Sequence, residues 1–402
     1  MRILCNCYFT VSVSFLLSFV LFAIKWSGIY PEVSESLSIF IIGSCLFLFF
    51  IGAVLNPVIR GWFNSSNSNI LNEYKTFKYS IKPLVSVVVF FCVEVAYNRK
   101  IPLIEMLLGH QYDYRDFTFP GIHVFFTSLT TFYCIKSFFD YLCFGSKKSL
   151  LSSLVCIWIF ILLMYRSYIV FCVLNFIFMF ILYKRISIKK IFKLTGIALA
   201  IMYFFGLAGD LRTQAQIGDQ SFTVSNIIRA TDADTIFAKQ QVLSPLYWAY
   251  LYASSPMANF QSTINYYARY SDNNGIEKFV VYEVLPDVIG KRIAILFGLD
   301  EEYSPLNRII DFLTVGTIFS DSFVFIGWLG PLILLFFMCM TPLLFLALCP
   351  KDSIYYVQFS VCTILLVLCC FTNMLVYASL SLILLYPLVF SWCKFKKNGK
   401  IG

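Results

Sequence analysis

The sequence predicts an all-α polytopic membrane protein of about ten transmembrane helices, within a range of ten to twelve, and one large external loop that contains short amphipathic helices. Three observations carry that prediction. Hydrophobic residues fill 59% of the 402 positions and charged residues only 13%, about half the share in a soluble domain. Apolar runs of about 17 to 25 residues recur along the whole length, each long enough for a helix to cross a hydrocarbon core of roughly 30 Å. Lys and Arg gather in connections that fall on one face if the spans alternate.

In order, spans are expected at 8–26, 37–55, 80–97, 120–141, 149–165, 167–183, 192–209, 323–348, 354–371 and 374–393. The basic connections are "KYSIK" before the third span, "GSKKS" after the fourth, "YKRISIKKIFK" after the sixth, "PKD" after the eighth and "CKFKKNGK" at the end. The positive-inside rule then puts both termini in the cytoplasm. The formal net charge of +9 therefore sits mostly beside anionic lipid and speaks for topology, not for nucleic acid as a partner. The run from Tyr8 to Trp26 is long for a signal-peptide core and lacks a small-residue cleavage site.

This layout divides the chain into a membrane domain at 1–208, a large external loop at 209–322, and a second membrane domain with a basic tail at 323–402. The loop holds eight Lys or Arg against thirteen Asp or Glu, and no cysteine. The 14 cysteines lie in or beside spans, where a thiol packs as a small hydrophobe, so a disulfide-stapled ectodomain is not expected. Within the loop, "SPLYWAYLYASSP" and "YSPLNRIIDFL" each place Ser before Pro, at Ser244–Pro245 and Ser304–Pro305, and so predict two short helices. Between them Ile289, Ile293, Leu296 and Phe297 follow helical spacing, with Lys291 and Arg292 at the polar edge of a surface-lying amphipathic segment.

Nucleotide loops, nucleophile elbows and zinc-type clusters do not occur in the sequence. The pair Cys5 and Cys7 has no His or further Cys nearby to complete a metal set, and "DAD" at Asp232–Asp234 lacks a nucleotide-binding context. Three arginines mark the external boundary instead: Arg166 between two spans, Arg212 after the seventh and Arg308 before the eighth. Each alone reads equally as a snorkelling end-cap. Together they suit phosphate or pyrophosphate oxygens. Tyr247, Trp248 and Tyr266 lie among the loop's crowded aromatics, either as faces for sugar rings or as an interfacial belt.

Three stretches resemble the bacterial oligosaccharide repeat-unit polymerases, the O-antigen polymerase (Wzy) family. "MYRSYIVFCVLNFIFMFILYKR" is similar to that family's hairpin, in which an arginine opens a span that closes on a basic loop. The family often has Gly before that arginine; here Tyr165 stands there. "GLAGDLRTQ" looks like the exit into its periplasmic loop, and "TVGTIFSDSFVFIGWLGPLI" resembles its return to the membrane.

The resemblance implies a processive glycosyltransferase of the bacterial inner membrane. It would move a growing glycan from undecaprenyl pyrophosphate onto a newly flipped lipid-linked repeat unit, on the periplasmic side, to build O-antigen or capsule. The sugar-pyrophosphate bond supplies the energy, so no cofactor or metal is expected, and a chain-length-determining co-polymerase is the implied partner beside the lipid bilayer. Chemically such a site needs cations for the departing pyrophosphate and a carboxylate for the proton of the attacking hydroxyl. Arg212, Arg308 and Arg166 are the candidates for the first role, and Asp210, Asp311 or Asp321 for the second. Asp210 beside Arg212 and Asp311 beside Arg308 also read as plain ion-pair partners. The alternatives are an O-antigen ligase, whose family uses a histidine in the loop where this chain has none, and a lipid-linked oligosaccharide flippase or other transporter.

Overall fold

The computed structural model describes residues 6–110, 116–119, 121–184, 231–234, 244–268, 275–299 and 306–390, with isolated positions between 193 and 228. Its described residues are helical, with one isolated bridge between Ser27 and Ala233. The helices are α1 (Cys7–Ile24), α2 (Glu35–Thr76), α3 (Lys82–Asn98), α4 (Pro102–Leu107), α5 (His123–Phe144), α6 (Lys147–Leu162) and α7 (Arg166–Lys184). After a stretch described at few positions come α8 (Ser244–Tyr267), α9 (Ile276–Phe279), which continues as a wider turn over Val280–Val284, α10 (Asp287–Phe297), α11 (Ile318–Ile326), α12 (Leu329–Leu348), α13 (Ser353–Leu368) and the short α14 (Ala378–Ser381).

Four of these, α1, α2, α7 and α12, are long and apolar enough to cross a membrane. Residues 353–368 and 378–390 form shorter apolar helices. Only isolated positions of the expected span at 192–209 are described.

The expected span at 37–55 is the first half of a 42-residue helix. At 1.5 Å per residue this helix is about 63 Å long, twice a hydrocarbon core. Its polar second half is anchored to the connection between α12 and α13, where Asn69 donates to the Lys351 carbonyl at 2.7 Å, and to the start of α13, where Tyr356 donates to Asn67 at 2.8 Å. Those contacts replace the solvent that a projecting helix would otherwise need.

Four expectations are corrected. The span at 323–348 starts as two helices, because the chain breaks at Gly327 and Trp328 between α11 and α12. A Cβ on Gly330 would stand 2.2 Å from the Ser322 carbonyl oxygen, so only glycine lets the start of α12 press against the backbone of α11. The expected helix after Ser304–Pro305 does not form over its described part, and residues 306–317 run irregularly. Their backbone finds partners on α8 in place of a helical ladder. The span at 374–393 opens with turns through residue 377 before α14 begins.

The helix started by Ser244–Pro245 is a 24-residue element, not a short one. Its face of Leu251, Met257, Ala258 and Phe260 is fully buried. It packs along the last turns of α1 and the segment that follows: Ser18 donates to the Ala253 carbonyl at 2.6 Å, Tyr250 accepts from the Trp26 amide at 2.9 Å, and Gln261 accepts from the Ser34 amide at 2.9 Å. A large part of the nominal loop is therefore core.

Candidate functional site

Three irregular segments meet beside α11, and each is irregular because a side chain satisfies its backbone. Asn259 of α8 is fully buried; it donates to the Leu313 and Val315 carbonyls at 2.7 and 2.8 Å and accepts from the Ile309 amide at 2.9 Å. Thr263 accepts from the Asn307 amide at 3.1 Å. These bonds hold the segment that carries Arg308.

Next to it, Asn373 reaches across to the turn after α9, donating at 2.9 Å to both the carboxylate and the backbone carbonyl of Glu283. Asp287 accepts from the Ala378 amide at 2.9 Å, while its own amide donates to the Val376 carbonyl at 2.7 Å. Gly290 lets α10 close on this turn, since a Cβ there would sit 2.3 Å from the Val281 carbonyl oxygen.

Asp321 occupies the first turn of α11, below a cap in which Thr317 and Ser320 satisfy each other's backbone. One carboxylate oxygen of Asp321 is enclosed and has no hydrogen-bond partner among the described residues. Burial pushes this carboxyl up from 3.8 to about 6, while the nearby Arg308 guanidinium pulls it back down. Arg308 itself is exposed and forms no direct ion pair among the described residues.

Glu283 is buried, and its carboxyl is pushed well above the ordinary range by that burial and then by the charge of Asp321, against the hydrogen bond from Asn373. Of this pair, Glu283 holds its proton the more tightly. A groove of about 330 Å³ opens beside Glu283, walled by Phe337, Thr341 and Phe345 of α12 and by Leu382 and Leu385.

Of the residues singled out from sequence, Arg308 and Asp321 are brought together. Arg166 is exposed at the first position of α7. Asp311 is exposed on the irregular segment. Asp210 and Arg212 lie outside the described residues. Tyr247 is fully buried, with its hydroxyl 2.7 Å from that of Thr231. Trp248 is buried and stacks on Tyr252, whereas Tyr266 is exposed against the edge of Tyr267.

Sequence reasoning missed Glu283, Asn373 and Asp287. It also missed a buried chain at the start of α5, in which Glu94 of α3 bonds His123 Nδ1 at 2.9 Å and His123 Nε2 meets the Tyr165 hydroxyl at 3.0 Å. Tyr165 in turn donates to the Phe117 carbonyl at 3.0 Å. A carbonyl only accepts, so Nε2 must donate to Tyr165, and a second proton must lie between Nδ1 and Glu94. All the partners are satisfied together only when the imidazole and carboxyl hold that extra proton between them. The signal was a lone carboxylate within the apolar run "FFCVEVAY", which marks a paired or functional group in a membrane helix.

No model of a protein family matches this chain, and neither a curated protein nor a solved structure does.

Proposed function

We propose that the protein is a membrane glycosyltransferase that polymerises undecaprenyl-pyrophosphate-linked oligosaccharide repeat units into O-antigen or capsular polysaccharide. In this reading about ten spans hold the catalytic cluster at the periplasmic face of the bacterial inner membrane, with both termini in the cytoplasm. The observation that carries the reading is Asp321: an enclosed, unpartnered carboxylate oxygen with a pKa of about 6, beside an exposed arginine without an ion-pair partner among the described residues.

The reaction forms one C–O bond and breaks another. The terminal sugar hydroxyl of the acceptor attacks the anomeric carbon of the donor glycan. Asp321 takes the hydroxyl proton, for which a carboxyl of about 6 is mostly ionised at neutral pH yet basic enough to act. The bond from the anomeric carbon to pyrophosphate oxygen breaks, and Arg308 offsets the charge that the leaving group gains, with Arg166 and Arg212 as further cations. Glu283, fixed by Asn373 and with its carboxyl raised by burial, resists a second negative charge beside Asp321. The apolar groove beside it offers a wall for an isoprenoid tail. A chain-length-determining co-polymerase is the partner that the resemblance implies.

A gel of surface polysaccharide from cells lacking this gene tests the reading. Loss of the repeat ladder with survival of a single-repeat band is the expected result. Loss of every repeat, the first included, would reassign the protein to ligation or flipping, and an unchanged ladder would refute a role in this polymer.

A further inference from the structure

Away from the carboxylate cluster, a cavity of about 380 Å³ lies between the start of α3, the second half of α5 and the start of α6. Its walls are of two kinds. Lys78, Lys82 and Lys136 supply positive charge, and Val87, Leu129 and Phe390 supply apolar surface. Lys136 is already neutralised, since it donates to Asp140 at 2.6 Å one helical turn on. Lys78 and Lys82 are exposed and have no ion-pair partner among the described residues. The cavity thus has two uncompensated cations.

Lys78 stands between two anchored residues, and Lys82 opens α3 three residues after the second. Phe77 stacks on Phe144 with ring centroids 4.3 Å apart, and the Tyr79 hydroxyl meets that of Ser152 on α6 at 2.8 Å. The cations are therefore presented by a fixed segment, so binding does not first have to order a loop. The bias of Lys and Arg puts this end of α3 on the cytoplasmic face, where anionic lipid raises the local supply of phosphate headgroups.

We propose that this cavity is a binding site for an anionic phospholipid, separate from the carboxylate cluster and independent of the reaction assigned to it. The phosphate sits between Lys78 and Lys82, and the first part of an acyl chain lies on Val87, Leu129 and Phe390. A zwitterionic lipid fits the apolar wall equally well, but its choline group meets cations. Inorganic phosphate fits the lysines and leaves the apolar wall wet. Both the charge and the chain are therefore needed.

Native mass spectrometry of the purified full-length protein tests the site, with phosphatidylglycerol and phosphatidylcholine of identical acyl chains as the two probes. The expected result is preferential retention of phosphatidylglycerol, weakened about tenfold by Lys78→Ala with Lys82→Ala, in line with about 1 kcal/mol or less for each lysine. The control pair Lys147→Ala with Lys148→Ala changes the net charge equally at exposed positions that do not line the cavity, and retention is expected to stay as in the parent. Asp140→Asn frees Lys136 and strengthens retention. Equal retention of the two lipids, an equal loss in the control pair, or displacement of phosphatidylglycerol by an equimolar amount of inorganic phosphate would each overturn the proposal.

Discussion

Asp321 and Glu283 each have a carboxyl raised in the folded protein, so the folded state binds their protons more tightly than the unfolded chain does. For Asp321 the resulting stability is present in full below the ordinary value of 3.8 and is lost as pH rises through about 6. The catalytic role runs the other way, since the base must be ionised. Activity is expected to rise with pH through about 6, while the thermal midpoint falls over the same window. Asp321→Asn should flatten the fall in midpoint and abolish polymer formation; a variant that keeps parental activity would remove Asp321 from the mechanism. Arg308→Ala should lower polymer yield at unchanged protein level, and Arg308→Lys should restore part of it, because an ammonium cannot make the bidentate contact. The sequence showed Arg308 and Asp321 as charges at a boundary, thirteen residues apart. It did not show Glu283, because nothing local says that Asn373, 90 positions away, will turn to meet it.

The elements around the site are held by single polar side chains, and that is where stability is most exposed. Asn259 satisfies two carbonyls and one amide of the irregular segment. Asn259→Leu leaves all three without that partner, at about 1–3 kcal/mol for each group that water does not reach. The expected outcome is a lower thermal midpoint and faster proteolysis between 306 and 317, read by limited digestion. Gly330→Ala drives a methyl into the backbone of α11 and should cost about 1–3 kcal/mol through displacement of that helix. The Glu94–His123–Tyr165 chain joins α3 to the turn before α7. Glu94→Leu leaves His123 Nδ1 without its partner and should lower the thermal midpoint; a midpoint equal to the parent's would contradict the chain's structural role. Helix positions were legible from apolar runs and basic connections. The irregular course of 306–317 was not, since Ser304–Pro305 carries a valid helix-start signal that the long-range bonds to α8 override.

At the scale of the whole molecule, the part of the chain that charge and polarity mark as a loop supplies both a buried helix and the carboxylate cluster. The expectation of a membrane protein rested on composition, and α1, α2, α7 and α12 carry it as helices of sufficient length and apolarity. The depth of α8 could not be read from sequence, because its Ser, Tyr, Asn and Gln residues look solvated until they are seen bonded to the segment after α1 and to the irregular segment 306–317. Burying that polar helix gives the segment that carries Arg308 a fixed wall. The most direct measurement is made on purified full-length protein in lipid vesicles supplied with undecaprenyl-pyrophosphate-linked repeat units. The account predicts a ladder of extended glycans with one polyprenyl pyrophosphate released per bond formed, and loss of both products in Asp321→Asn and Arg308→Ala. Folded parent protein that extends no glycan, or variants that match the parent, would contradict it.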